Sequence, residues 1–261
     1  MEKYKKLKVN DIQYQNLKDI QIENGSYIQE HYVGSAKKLY SKNTLIATLS
    51  IDDSLSLGGI SNQQFTSFLG MFNKNLYNQF IVKPELYNLN IEFEGSARGK
   101  NIEAWDRLPI DSYFYNIDLK SAYWQIAYKL GYITKAIFEK YIDNDSYKQA
   151  KRLCISFLAR PNNMYYMNDN GNYVLECETS VLKGVYDNIR HELYNSIGKA
   201  IKGSKNWLEY NIDGVYVSKD ELNMVRQEFK NIGLLYKITE CKKISDTDFQ
   251  YGYKLRKFKN K

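Results

Sequence analysis

The stretch YFYNIDLKSAYWQIAYKL, residues 113–130, changes its hydrophobic period in mid-run, and that change constrains the fold more than any other feature of the chain. Tyr113, Tyr115 and Ile117 alternate as the residues of a half-buried strand do, and the alternation stops at Asp118. Tyr123, Ile126, Ala127 and Leu130 then recur at helical spacing. A strand that hands over to a helix in this way leaves an aspartate at the strand's end, on the lip of whatever sheet the strand joins.

The flanking segments extend the pattern. LIATLSI (45–51) and LNIEFEG (89–95) read as strands. Between them Ser61 is placed to cap a helix whose stripe is Phe65, Phe68, Leu69, Phe72, Leu76 and Phe80, a spacing that predicts core packing. SYKQAKRLCISFLA (146–159) predicts a second amphipathic helix, with Ser146 as its cap and Ala150, Leu153, Cys154 and Phe157 as its apolar stripe. Lys148, Lys151 and Arg152 fall at i, i+3 and i+4 on another face of it. A longer helix runs from Leu182 through Ile201, EYNIDGVYV (209–217) reads as a hairpin, and a helix around Leu222, Val225 and Phe229 precedes a strand-rich end. From residue 113 the order is strand, three helices, hairpin, helix, strands. This predicts an α+β domain with helices packed on one face of an antiparallel sheet. Residues 1–94 read as an accessory region and 95–261 as the main domain, closed by a basic tail.

Composition limits the chemistry. A chain of 261 residues with 43% hydrophobic content buries a substantial core. Three scattered cysteines and two histidines argue against a disulfide scaffold, a zinc site or His-based nucleophilic catalysis, and favour a hard, oxygen-bound metal such as Mg²⁺. No long apolar run or charged leader is evident, so the expected location is cytoplasmic, in a bacterium or phage-infected host, without a membrane partner. The net charge is +7, and MEKYKKLK at the start and YKLRKFKNK at the end interleave cations with aromatic rings, a pairing suited to phosphate backbone and stacked bases.

Asp118 at a strand's end and Asp213 on a hairpin would converge if their strands are neighbours. Two ionised carboxylates at close range share a proton or hold cations. Two Mg²⁺ ions held between them would activate a hydroxyl and steady a departing pyrophosphate, and the Lys148, Lys151 and Arg152 stripe would meet a triphosphate. Taken singly, each piece also has a plain reading: a strand-end residue, an Asp-Gly turn, a solvated basic face.

Three segments, in this order, resemble motifs A, B and C of the family B DNA polymerases, closest to the protein-primed phage and plasmid branch. DLKSAYW resembles Asp-x-x-Ser-Leu-Tyr-Pro, with Asp118 in the place of the first metal-binding aspartate and Tyr123 in that of the tyrosine that excludes a 2′-hydroxyl. KRLCISFLA is similar to Lys-x-x-x-Asn-Ser-x-Tyr-Gly, with Lys151 matching the triphosphate lysine and Ser156 the serine. EYNIDGVYV is similar to Tyr-x-Asp-Thr-Asp-Ser, with Asp213 matching the second aspartate. GSARGK (95–100) is loosely like the Gly-rich linker that touches template.

The resemblance covers about residues 95–255. It implies a polymerase-type palm with short fingers helices, acting on a DNA primer-template or single strand with dNTPs and two Mg²⁺ ions, Mn²⁺ being a substitute. It implies metal contacts from Asp118, the Leu119 carbonyl and Asp213. Nucleotide contacts fall to Ser121, Ala122, Tyr123, Lys148, Lys151 and Arg152, and backbone contacts to Arg98, Lys100, Lys254 and Arg256. The chain departs from the pattern at Leu158 and Ala159, at Trp124 and at Asn211, and it has no exonuclease Asp-x-Glu in its first hundred residues and little room for a thumb. A partner subunit supplying a thumb or clamp follows from that shortage. Two other readings are an inactive palm serving as a nucleic-acid-binding or assembly subunit, and a primase or reverse transcriptase of another lineage; Gly214, where the latter would carry a second aspartate, speaks against the reverse transcriptase.

Overall fold

The computed structural model describes residues 7–9, 11–33, 36–41, 44–50, 60–87, 97–160, 162–167, 173–178 and 180–258. In chain order its elements are β1 (Leu7–Val9), α1 (Asp11–Glu23), β2 (Ile28–Val33), β3 (Ala36–Ser41), β4 (Thr44–Ser50) and α2 (Asn62–Val82). Next come β5 (Gly99–Lys100), α3 (Ile102–Arg107), β6 (Tyr113–Leu119), α4 (Ala122–Lys129), α5 (Lys135–Ile142), α6 (Lys148–Phe157), β7 (Asn162–Met167), β8 (Tyr173–Glu178) and α7 (Lys183–Ile201). The chain ends with β9 (Trp207–Asn211), β10 (Gly214–Ser218), α8 (Leu222–Ile232), β11 (Tyr236–Lys243), β12 (Asp248–Tyr251) and β13 (Lys254–Lys257). This is the α+β class that the sequence predicts. The expected strand at 89–95 and most of the opening basic stretch lie outside the described residues.

The chain divides into two units, Met1–Leu89 with Asp143–Tyr186, and Asn90–Ile142 with Asp187–Lys261. The boundary near residue 90 lies close to the expected division at 94, but residues 143–186, expected in the main domain, belong with the first unit. Strand pairing is the reason: β7 hydrogen-bonds to β2, so the β7–β8 hairpin completes a six-stranded sheet in the order β1-β4-β3-β2-β7-β8. In the same unit α6 packs on α2, through Phe65 against Phe157 at 6.1 Å and Phe68 against Tyr147 at 5.2 Å between ring centres.

Ser61 caps α2 as its sequence implies, in a reciprocal box with Gln64. Phe65, Phe68, Phe72 and Leu76 are all buried, as core packing requires. At α6 the expected cap is absent. A single 3-10 turn, Asp145–Tyr147, leads in, Tyr147 takes the N-cap position, and no side chain bonds there, so Ser146 is not the cap. Under the first sheet, Tyr14 of α1 packs with Ile28, Leu39, Ala47 and Leu49. Glu30 lies within this buried layer, 3.3 Å from Lys18 and 2.8 Å from Lys37. Burial pushes its carboxyl up, but the two lysines outweigh that and hold it below its ordinary value.

The second unit is a curled, wholly antiparallel seven-stranded sheet in the order β13-β12-β11-β6-β10-β9-β5. The strand that begins the switch of period, β6, sits in its middle between β10 and β11. Ile117, Val215 and Val217 alternate onto one face and are fully buried. The apolar stripes of α4 (Ile126, Ala127), α7 (Ile189, Leu193, Ile197) and α8 (Val225, Phe229) are equally buried and supply that face's backing. Each of these side chains except Ala127 contributes about 1.5–3 kcal/mol on burial. The opposite face carries Phe114, Tyr216, Cys241 and Phe249, packed with Trp105 of α3, Leu208 and Phe258. Trp105 stacks on Phe258 at 4.0 Å. Lys243, 1% exposed, lies against this cluster and donates to the carbonyls of Trp105 and Leu108 at 2.9 and 2.8 Å. Its ammonium thereby adds to the capping at the C-terminal end of α3, where the Trp105 carbonyl also accepts the Leu108 N–H. No helix among the described residues is long and apolar enough to cross a membrane.

Candidate carboxylate site and its basic pocket

The two aspartates are brought to one place by strand register. Asp118 pairs directly with Gly214 across β6 and β10, and the Leu119 N–H donates to the Asp213 carbonyl at 2.7 Å. Asp213 is thus one residue along from Asp118's own partner. Strands 4.8 Å apart and a rise near 3.4 Å per residue set the two Cα atoms about 6 Å from each other. Asp118 alternates with Phe114 and Asn116 onto the face that bears Tyr216, and Asp213 lines a pocket on that face with Tyr216 and Phe249.

The hairpin corrects the simplest reading of Asp-Gly. Its two-residue loop is Ile212–Asp213, neither at positive φ, and Gly214 already belongs to β10, paired with Asn211. The glycine serves close approach. A Cβ there would lie 3.0 Å from the Ile117 carbonyl oxygen, 3.3 Å from Asn116 Oδ1 and 3.4 Å from the Asp118 Cα. Only a residue without a side chain lets β10 come this near to β6 beside Asp118.

The loop after Asp118 is fixed from below. Gln125, buried on α4, donates to the carbonyls of Lys120 and Leu235 at 2.6 and 2.8 Å and accepts from the Leu235 N–H at 2.6 Å. Lys120 N–H donates to Leu235 as well. Ser121, the N-cap of α4, takes a left-handed conformation (φ 45°, ψ 52°) that a non-glycine residue adopts at some cost. Ala122 is buried and Tyr123 half-buried in the first turn, where the Trp124 and Gln125 N–H groups donate to the Ser121 carbonyl.

Lys237, directly opposite Asp118 on β11, reaches its Oδ2 at 3.0 Å. Sequence reasoning missed this residue, because nothing local distinguishes it from other surface lysines; only the β6–β11 register does. One step back on the same face, the buried Asn116 donates to Tyr251 Oη at 3.3 Å while its Oδ1 has no hydrogen-bond partner among the described residues.

A pocket of about 300 Å³ adjoins Asp213. Arg98, Arg256 and Lys257 line it together with Glu209 and Asn211, so Arg98 and Arg256, two of the four proposed backbone contacts, meet in space despite their distance in sequence. Lys100 instead places its ammonium 4.2 Å above the Phe258 ring, and Lys254 stands exposed on the edge strand β13. Glu209 and Lys257 were not foreseen. Glu209's carboxyl is pushed up by burial, against the pull of Lys100 and Arg98.

Lys148, Lys151 and Arg152 lie in the first unit. Lys148 and Arg152 are exposed, but Lys151 is only 2% exposed, so the three do not form the common solvent face expected of them. Lys151 donates to the Asn144 carbonyl at 3.4 Å. Burial lowers its ammonium to about 8, with Asp145 and Asp143 opposing. The helix turns its Ala150, Lys151, Cys154 and Ile155 positions inward, which the spacing of the three cations alone did not resolve.

Among the described residues no three His, Cys, Asp or Glu side chains gather into a metal site. The candidate donors at the sheet's end, Asp118, Asp213 and the Leu119 carbonyl, are all oxygen. That suits Mg²⁺ or Mn²⁺, which take one or two carboxylates and fill remaining positions with water and phosphate, better than zinc or copper. Compared with models of known families, with curated proteins and with solved structures, the chain matches none of them.

Proposed function

We propose that this chain is a nucleotidyltransferase of the DNA polymerase type, adding nucleotides to a 3′-hydroxyl with two Mg²⁺ ions and without proofreading. The observation that carries the reading is the pairing of Asp118 with Gly214, which brings the Asp213 backbone within one residue of Asp118 at the end of the sheet. Asp118, Asp213 and the Leu119 carbonyl would hold the ions, which when bound lower the pKa of the attacking hydroxyl and offset charge on the leaving pyrophosphate.

The remaining roles belong to the chain itself. Ser121, Ala122 and Tyr123 open α4, whose N-terminal dipole end favours a phosphate, and Tyr123 is proposed to test the sugar. Gln125 holds that turn still, so the carboxylates and the helix end keep their spacing as substrate arrives. Arg98 and Arg256 sit where a strand ending near Asp213 would need backbone neutralisation. Lys148, Lys151 and Arg152 of the first unit are proposed for a triphosphate, with Lys148 and Arg152 exposed and Lys151 buried.

The test is extension of a labelled primer on a template with single dNTPs and Mg²⁺ or Mn²⁺. Wild type should add nucleotides, and Asp118→Asn or Asp213→Asn should reduce addition by about a thousandfold or more. The Lys237 ammonium at Asp118 favours a second reading, an inactive palm that binds nucleic acid. It prevails if wild type extends nothing and both variants bind primer-template as wild type does.

A further inference from the structure

The pocket beside Asp213 has properties that a passing phosphodiester backbone does not need. Its volume, about 300 Å³, is at the small end of the range for ligand cavities, the scale of one nucleotide. Three cations from two distant segments, Arg98, Arg256 and Lys257, face two carboxylates, Glu209 and Asp213. The lining is therefore net positive by one charge, with two guanidinium forks able to grip a phosphate by paired hydrogen bonds. A phosphomonoester, with close to two negative charges at neutral pH, uses that surplus better than a diester with one.

Glu209 adds a second kind of selection. It is half-buried between Lys100, its partner on β5, and Tyr216, its partner on β10. An ionised carboxylate only accepts hydrogen bonds, so a base edge beside it must offer donors. Adenine, cytosine and guanine carry amino groups on their pairing edges. Thymine and uracil carry two carbonyls there and a single N–H. The Asn211 amide, which both donates and accepts, is compatible with either class. Tyr216 and Phe249 close the pocket with carbon surface.

We propose that this pocket binds a terminal nucleotide, its phosphomonoester held by Arg98, Arg256 and Lys257 and its amino-bearing base by Glu209. The ligand is a 5′-phosphorylated strand end or a free nucleoside monophosphate, which share this chemistry. The site needs neither metal nor transfer activity.

The experiment uses the full chain in EDTA at fixed salt. Fluorescence anisotropy of 3′-labelled oligodeoxynucleotides, with and without a 5′-phosphate, is measured directly and in competition with dCMP, dTMP and inorganic phosphate. The 5′-phosphate should tighten binding about tenfold. Arg256→Ala with Lys257→Ala, both exposed positions, should erase that difference while the fold persists by circular dichroism. dCMP should compete about tenfold better than dTMP, a gap that Glu209→Gln should close. Competition by dCMP without preference for phosphorylated oligonucleotide supports the pocket and assigns it to the free mononucleotide. Equal binding of both oligonucleotides with no dCMP competition, or inorganic phosphate competing as well as dCMP, overturns the proposal. Because no metal or triphosphate is present, loss of the transferase reading leaves this outcome intact, and the converse holds.

Discussion

Replacing Gly214 with alanine tests whether the aspartates are paired by close strand approach. In a strand interior, glycine to alanine ordinarily gains about 0.5–1 kcal/mol by restricting the unfolded chain. Here the added Cβ meets the Ile117 carbonyl at 3.0 Å, Asn116 Oδ1 at 3.3 Å and the Asp118 Cα at 3.4 Å. Two of these three atoms are backbone of the central strand, so relief requires β10 to move by a few tenths of an ångström. Overpacking of this kind costs about 1–3 kcal/mol. The clash therefore wins, and Gly214→Ala should be less stable than wild type by about 1–2 kcal/mol in urea denaturation at unchanged m-value. Nucleotide addition should fall further than stability does, since the displaced residue adjoins both carboxylates. Gly252 is the contrast: it has open space around it but φ of +58°, so alanine there should cost about 1 kcal/mol without touching activity. A Gly214→Ala protein as stable and active as wild type would refute the close-approach argument.

Other expectations follow from single contacts. Lys237→Ala removes the ammonium that competes for Asp118, so half-saturation by Mg²⁺ in primer extension should fall several-fold, while stability changes by less than about 1 kcal/mol because the pair is solvent-accessible. Lys151 has a folded-state value lowered to about 8, so it loses charge above that pH; kcat/KM for dNTP should decline there, and Lys151→Arg should move the decline upward. The same lowering means that the folded state sheds this proton first, and stability should rise as pH climbs from about 8 toward the ordinary lysine value of 10.5. Glu30 is held below 4.5 in the folded state, so its stabilisation is present above that pH and lost as pH falls through the lowered value. Glu30→Gln, which strands Lys18 and Lys37, should cost about 2 kcal/mol by thermal or urea melting at pH 7, a cost that shrinks as pH falls through the lowered value.

What the sequence revealed was local, and what it hid was register. The change of period at Asp118, the capped aromatic helix after Ser61 and the long helix to Ile201 are written in consecutive residues, and each forms as read. Asp118 and Asp213 were legible as strand-end and hairpin residues. Their adjacency rested on which strands pair, and the β6–β10 ladder supplies it. Lys237 and Glu209 gain their significance only through cross-strand partners, Asp118 and Lys100, more than a hundred positions away in each case. The exchange of residues 143–186 between units was invisible for the same reason, since it depends on β7 choosing β2 as its neighbour. At α6, spacing grouped three cations on one face, whereas packing against α2 decides which face is solvent.

The pairing of the two carboxylates is tested most directly by a double-mutant cycle on Mn²⁺ binding, read by electron paramagnetic resonance in the presence of dNTP. If Asp118 and Asp213 hold ions as one unit, Asp118→Asn and Asp213→Asn each abolish tight binding, and the double variant is no worse than either. Losses that simply add, or undiminished Mn²⁺ binding in either single variant, would contradict the account.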